Sequence, residues 1–83
     1  MNVVYLSHAT IRPAARGERL KRLMKDLEAH GCKARLRYGA RRLDFEISDR
    51  EERWIVLGGL SALLESYKDA VAWSPNFIEK KEV

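Results

Sequence analysis

Scarcity bounds this chain before any motif does. A single cysteine, Cys32, in 83 residues excludes an internal disulfide, which fits a reducing compartment. No apolar run approaches the roughly 20 residues that a membrane-spanning helix needs. The uncharged run Trp54–Leu64 is far too short, so no membrane partner is expected. Met1-Asn2-Val3-Val4-Tyr5-Leu6 lacks the basic n-region and small-residue cleavage site of a secretory leader, and the expected location is the cytoplasm. His8, His30 and Cys32 are the only soft metal ligands. His30-Gly31-Cys32 has no recognised zinc spacing and a tetrahedral site needs a fourth ligand, so neither metal nor cofactor is expected. Cys32 falls on the apolar face of its segment, where a small buried thiol is the ordinary case. His8 has no second catalytic candidate placed near it by spacing, which leaves a nuclease-type toxin a distant third reading. The expectation is a protein without catalytic residues.

What the chain has in quantity is positive charge, unevenly spread. The formal net charge is +4. Arg12 to Arg42 holds eleven Lys/Arg against Glu18, Asp26 and Glu28, whereas Leu43 onward has five bases against nine acids. A chain split in this way presents a positive side, suited to an anionic partner.

The apolar pattern predicts one small α+β domain over residues 1–75 with a tail over 76–83. A domain of this size buries only about 60% of its unfolded surface. Val3-Val4-Tyr5-Leu6 reads as a short strand. Thr10 and Pro13 mark a helix entry, Leu20, Leu23, Met24 and Leu27 form its stripe, and Gly31 reads as its left-handed C-cap. Cys32 to Ser48 reads as a hairpin. Cys32, Ala34, Leu36 and Tyr38 alternate with Lys33, Arg35 and Arg37, and Leu43, Phe45 and Ile47 alternate with Arg42, Asp44 and Glu46. A two-residue Gly39-Ala40 turn of type II′ would pair Leu36 with Leu43, Ala34 with Phe45, Cys32 with Ile47, Lys33 with Glu46 and Arg35 with Asp44. It would also set Arg37 against Arg42, an unfavourable like-charge pair.

The stretch from Ser48 to Trp73 organises the rest. Ser48-Asp49-Arg50-Glu51 has the Ser-x-x-Glu form of a capping box. Val56, Leu57, Leu60, Leu63, Leu64, Tyr67 and Val71 then recur at three- and four-residue spacing, predicting one long helix stopped by Ser74-Pro75. Asn76-Phe77-Ile78 would add a short edge strand. The expected architecture is a two-layer β-α-β-β-α domain with a three-stranded sheet and both helices on one face.

Two surfaces carry the functional expectations. A basic face of Arg19, Arg22, Lys33, Arg35, Arg37, Arg41 and Arg42, with Tyr5 pointing out as a stacking ring, suits nucleic acid or an acidic protein surface. A far strip of the long helix, Ile55, Gly58, Gly59, Ala62 and Trp73, suits a homodimer or a second protein contact. Ala34-Arg35-Leu36-Arg37-Tyr38-Gly39, the returning strand Leu43–Ile47 and the helix from Asp49 to Trp73 together resemble the DinI-like proteins, small bacterial and phage accessory proteins that modulate RecA filaments. That family's last helix carries an acidic ridge, where Trp54–Leu64 here is uncharged. In size and one-sided charge the chain is also similar in kind to phage anti-CRISPR proteins. The resemblance implies a small inhibitor or regulator of phage or mobile-element type, docking on a nucleoprotein complex through the arginine face. The alternative is a free-standing DNA- or RNA-binding module using the same arginines and Tyr5.

Overall fold

The computed structural model describes residues 3–82, with Asp49 described by its backbone alone. Met1, Asn2 and Val83 lie outside it, and with them the ends of the leader and tail expectations. The elements are β1 (Val3–Ile11), α1 (Gly17–Ala29), β2 (Lys33–Arg37), β3 (Arg42–Ser48), α2 (Glu52–Val56), α3 (Gly59–Ser66), β4 (Val71–Ala72) and β5 (Glu79–Glu82). They form a mixed α+β domain on a five-stranded antiparallel sheet, in the order β2-β3-β1-β4, with β5 also on β1. The three-stranded expectation is therefore corrected. Each helical crossover skips the strand lying between its two ends, which is the split β-α-β connectivity of ferredoxin-like domains.

β1 is the centre of this sheet and is longer than its apolar start implies. Ser7, Ala9 and Ile11 are buried, while His8 and Thr10 on the other parity are more open. Their register partners Phe45, Leu43 and Val71 are buried as well. Leu20, Leu23 and Leu27 of α1 and Leu60 and Leu64 of α3 join them, with Tyr67, in one core. α1 and α3 thus cover one face of the sheet, and among the described residues no α-helix lies over the other. Buried Ser7 accepts a hydrogen bond from Trp73 Nε1 at 2.8 Å, so its hydroxyl is not stranded among apolar neighbours.

α1 ends as the glycine predicts. Gly31 has φ +82°, the Gly31 amide donates to the Glu28 carbonyl and the Cys32 amide to the Leu27 carbonyl, each at 3.0 Å. Those two bonds make a Schellman motif, with Leu27 and Cys32 as its apolar pair. The helix starts later than Pro13, because Thr10 belongs to β1.

The hairpin register is the predicted one: Lys33 opposite Glu46, Ala34 opposite Phe45, Arg35 opposite Asp44, Leu36 opposite Leu43 and Arg37 opposite Arg42. Its turn is longer than two residues. Tyr38–Ala40 form a 3-10 turn, and Arg41, not Gly39, takes the positive φ of 50°. The Arg41 amide donates to the Tyr38 carbonyl at 3.1 Å, and the Arg41 carbonyl accepts from Ile11 at 2.8 Å. The loop is thereby fastened to the end of β1.

The single long helix is the main correction. A 3-10 turn at Asp49–Glu51 leads into α2, whose N-cap has no side-chain hydrogen bond. Gly58 at φ +85° then separates α2 from α3. The break turns Val56 and Leu57 away from the core, and each is 75% exposed. α3 ends at Ser66, well before Ser74-Pro75. Val71 enters the core from strand β4 rather than from a helix.

Expected tail residues complete the sheet. Glu79–Glu82 pair with Leu6 to Val3, although this segment is wholly charged. The strand forms because the outer edge of β1 offers backbone donors and acceptors that require partners, not because its side chains are apolar. Between β4 and β5 the chain carries six residues, 73–78, opposite only Ser7, His8 and Ala9 of β1. The surplus is taken up by a 3-10 turn, Pro75–Phe77, where an edge strand was expected.

Candidate functional site

The uncovered face of the sheet is laid out in transverse rows by the registers. One row runs Lys33, Glu46, Leu6, Glu79 and the next runs Arg35, Asp44, His8, with Phe77 beyond. The third runs Arg37, Arg42, Thr10, Ala72. Phe77 joins its row by stacking on His8, with ring centroids 4.5 Å apart and planes within 18°. An open groove of about 590 Å3 lies over the first two rows, lined on the β2 side by Lys33 and Arg35, along its floor by Arg42, Asp44 and Glu46, and on the far side by His8, Asn76, Phe77 and Glu79.

The charge across this face is graded. β2, the free edge strand, shows only bases: Lys33, Arg35 and Arg37. β3 shows Arg42, Asp44 and Glu46, and β1 shows no Lys, Arg, Asp or Glu. Asp44 answers the like-charge problem of the hairpin. Arg42 donates to it through Nε at 2.6 Å and Nη2 at 3.2 Å, and Arg37 Nη1 donates at 3.4 Å. Burial alone would raise the Asp44 carboxyl, but Arg42 and Arg37 outweigh it and hold the group below its ordinary value. Lys33 and Arg35 have no ion pair or side-chain hydrogen bond among the described residues.

The structure divides the expected basic face between the two sides of the molecule. Lys33, Arg35, Arg37 and Arg42 share the open face, and Arg41 lies exposed at the hairpin tip. Arg19 and Arg22 belong to α1, on the helical side. Arg19 grips Asp69 through two bonds of 2.9 and 3.1 Å, donates to the Ser66 carbonyl at 3.1 Å and lies 4.3 Å over the Tyr67 ring. The Arg19 bonds hold the Asp69 carboxyl below its ordinary value. Tyr67 also donates its hydroxyl to Asp26, and burial, then Asp26, raises the phenol. This cluster locks α1 to the end of α3. Its arginine is already engaged.

Tyr5 is corrected outright. Its parity is that of Ser7 and Ala9, its partner is Ile47, and it packs partly against the core. A four-residue strand gives no basis for choosing between its two faces, whereas nine residues with Ser7, Ala9 and Ile11 inward decide the matter. The aromatic pair of the open face is instead His8 and Phe77. The recoverable signal is the alternation Tyr5-Ser7-Ala9-Ile11, which extends the strand beyond Leu6 and turns His8 outward. Nothing local in the sequence joins His8 to Phe77.

The expected protein-contact strip is not gathered on one face either. Ile55 and Trp73 pack against the core. Trp54 lies directly on Gly59 and stacks on His30 at 4.4 Å with planes within 9°. Gly58 forms the helix break, and Ala62 alone of the five is exposed. Cys32 is buried beside this region. Burial, with Glu51 adding, pushes its thiol up to about 11, so it is a protonated apolar group at neutral pH. Among the described residues no group of three or more His, Cys, Asp or Glu side chains gathers as metal ligands would, and no helix is long and apolar enough to cross a membrane. Comparison with protein-family models, curated proteins and solved structures gave no match to this chain.

Proposed function

We propose that this is a small non-catalytic binding protein that holds nucleic acid on the open face of its sheet, with the cations of β2 on the phosphates. The observation that carries the reading is the β2 column. Lys33 and Arg35 border the groove and form no ion pair among the described residues, although Glu46 and Asp44 stand opposite them, and Arg37 and Arg42 share one carboxylate. Charge on an edge strand also guards against edge-to-edge pairing. That duty accepts either sign, whereas all three outward residues of β2 are basic. Alternate residues of a strand stand roughly 6.6 Å apart, which lets Lys33, Arg35 and Arg37 meet separate phosphates of one backbone. The connectivity of the fold adds nothing to the argument, since one fold serves many functions.

Labelled single-stranded DNA, single-stranded RNA and duplex DNA, titrated by anisotropy at about 50 and 200 mM salt, test the reading. Affinity should fall with salt, with a log–log slope of about 0.7 per phosphate neutralised on a single strand. Lys33→Glu/Arg35→Glu should abolish binding. No binding at low salt overturns the reading.

A regulator docking on a nucleoprotein complex, of the phage or mobile-element type, has a separate observation in its favour. Val56 and Leu57 form an exposed apolar corner on the helical side, as a protein contact would require. That reading expects weak binding to naked nucleic acid and capture of a protein component that Val56→Glu/Leu57→Glu loses.

A further inference from the structure

We infer that His8 and Phe77 form a stacking site for an unpaired nucleobase, which makes the open face selective for single-stranded over duplex nucleic acid. The inference rests on the nucleic-acid reading and names its substrate class.

Phe77 is placed by the surplus of residues on the sheet edge. Six residues opposite three of β1 force the chain out into the Pro75–Phe77 turn, closed by the Phe77 amide donating to the Ser74 carbonyl at 3.0 Å. Within that segment Trp73 and Ile78 pack against the core, so the segment is anchored at both ends without Phe77. The Phe77 ring goes the other way, onto His8, and borders the groove. Both rings are partly exposed, so the near-parallel pair can be extended by a third ring. Asn76 beside it is exposed and borders the same groove, with an amide that both donates and accepts at a base edge.

Charge selects the occupant. The ring pair lies in the row of Arg35, and β2 is two strand spacings from β1, roughly 10 Å. A backbone held on Lys33 and Arg35 therefore directs its bases across the sheet toward His8 and Phe77. Base–aromatic stacking tolerates any base, because each has a π-face. A duplex keeps its bases stacked on one another and brings only phosphates to this surface.

The test compares an intact single-stranded oligonucleotide, an abasic strand of equal length and a duplex, in DNA, with an RNA strand as a further arm. The parent should bind the intact strand about tenfold more tightly than the abasic strand, within the range of one aromatic–base stack. Phe77→Ala should remove that difference while leaving the salt slope unchanged, because no phosphate contact is lost. Phe77→Trp should restore it. Equal binding of intact and abasic strands, or of duplex and single strand, overturns the stacking site and leaves the phosphate reading standing. An equal loss for both strands in Phe77→Ala means that the ring only pins the turn, and overturns it too. No binding of any strand removes the phosphate reading and the stacking site together.

Discussion

Gly58 and Gly59 stand side by side for different physical reasons. Gly58 has φ +85° and open space where a Cβ would go, so a side chain there meets backbone strain and nothing else. Left-handed backbone costs an L-residue roughly 1–2 kcal/mol, least for asparagine. Gly59 lies under Trp54, whose Cδ1 and Nε1 would be 2.0 Å from a Cβ. A methyl group there must push the indole off His30, and overpacking of this kind costs about 1–3 kcal/mol. Gly58→Ala should therefore lower the urea midpoint without changing tryptophan fluorescence, and Gly58→Asn should recover much of the loss. Gly59→Ala should lower the midpoint and also shift the emission, because the Trp54 environment changes. Unchanged emission in Gly59→Ala would remove the role given to Trp54. The periodicity of Val56, Leu57, Leu60 and Leu64 conceals this break, since helical spacing continues across two glycines whose conformations the letters do not specify.

At the scale of elements, the hairpin was the most legible part of the fold. Two alternating segments admit one register that matches apolar with apolar and base with acid, and a slip of one residue reverses every side chain. Its turn was less legible, because Gly39 suited a two-residue turn while the chain closed on Arg41. The Arg37–Arg42 opposition was legible too, but not that Asp44 answers both. Because the folded Asp44 carboxyl is held below its ordinary value, its contribution is fully present above the unfolded value near 3.9. It is lost as pH falls through the lower folded value. Asp44→Asn should thus be less stable than the parent at neutral pH, by on the order of 1 kcal/mol for so exposed a cluster. The difference should shrink as pH is lowered from about 6 to about 2.5. Thermal melts across that range provide the check, and a gap independent of pH would mean that Asp44 acts by packing rather than charge.

For the whole molecule, the mixture of helices with an antiparallel sheet and the basic strand were legible in the sequence, but not how the sheet is finished. Apolar pattern identifies what a core needs, and it is silent about an edge. β5 is Glu79-Lys80-Lys81-Glu82, all exposed, and its pairing with Val3–Leu6 is held by backbone hydrogen bonds. The candidate site was half legible for the same reason. Lys33, Arg35, Arg37 and Arg42 follow from local alternation, whereas His8 and Phe77 meet only because the chain returns to the outer edge of β1. That return protects the central strand. A chain shortened to end at Ile78 keeps every buried residue but leaves the β1 edge open along Val3–Leu6, a template for pairing with another copy. It should melt at a lower temperature and, by light scattering, associate as concentration rises, while the full chain does not follow it. If the shortened chain keeps its melting temperature and stays monomeric, β5 is dispensable and the edge of β1 is guarded by other means. In that variant Ile78, one of the two anchors of the Phe77 turn, becomes the end of the chain and is no longer held by β5, so the ring should loosen from His8. Its affinity for intact strands should fall toward its affinity for abasic ones, which ties the finish of the sheet to the site on its open face.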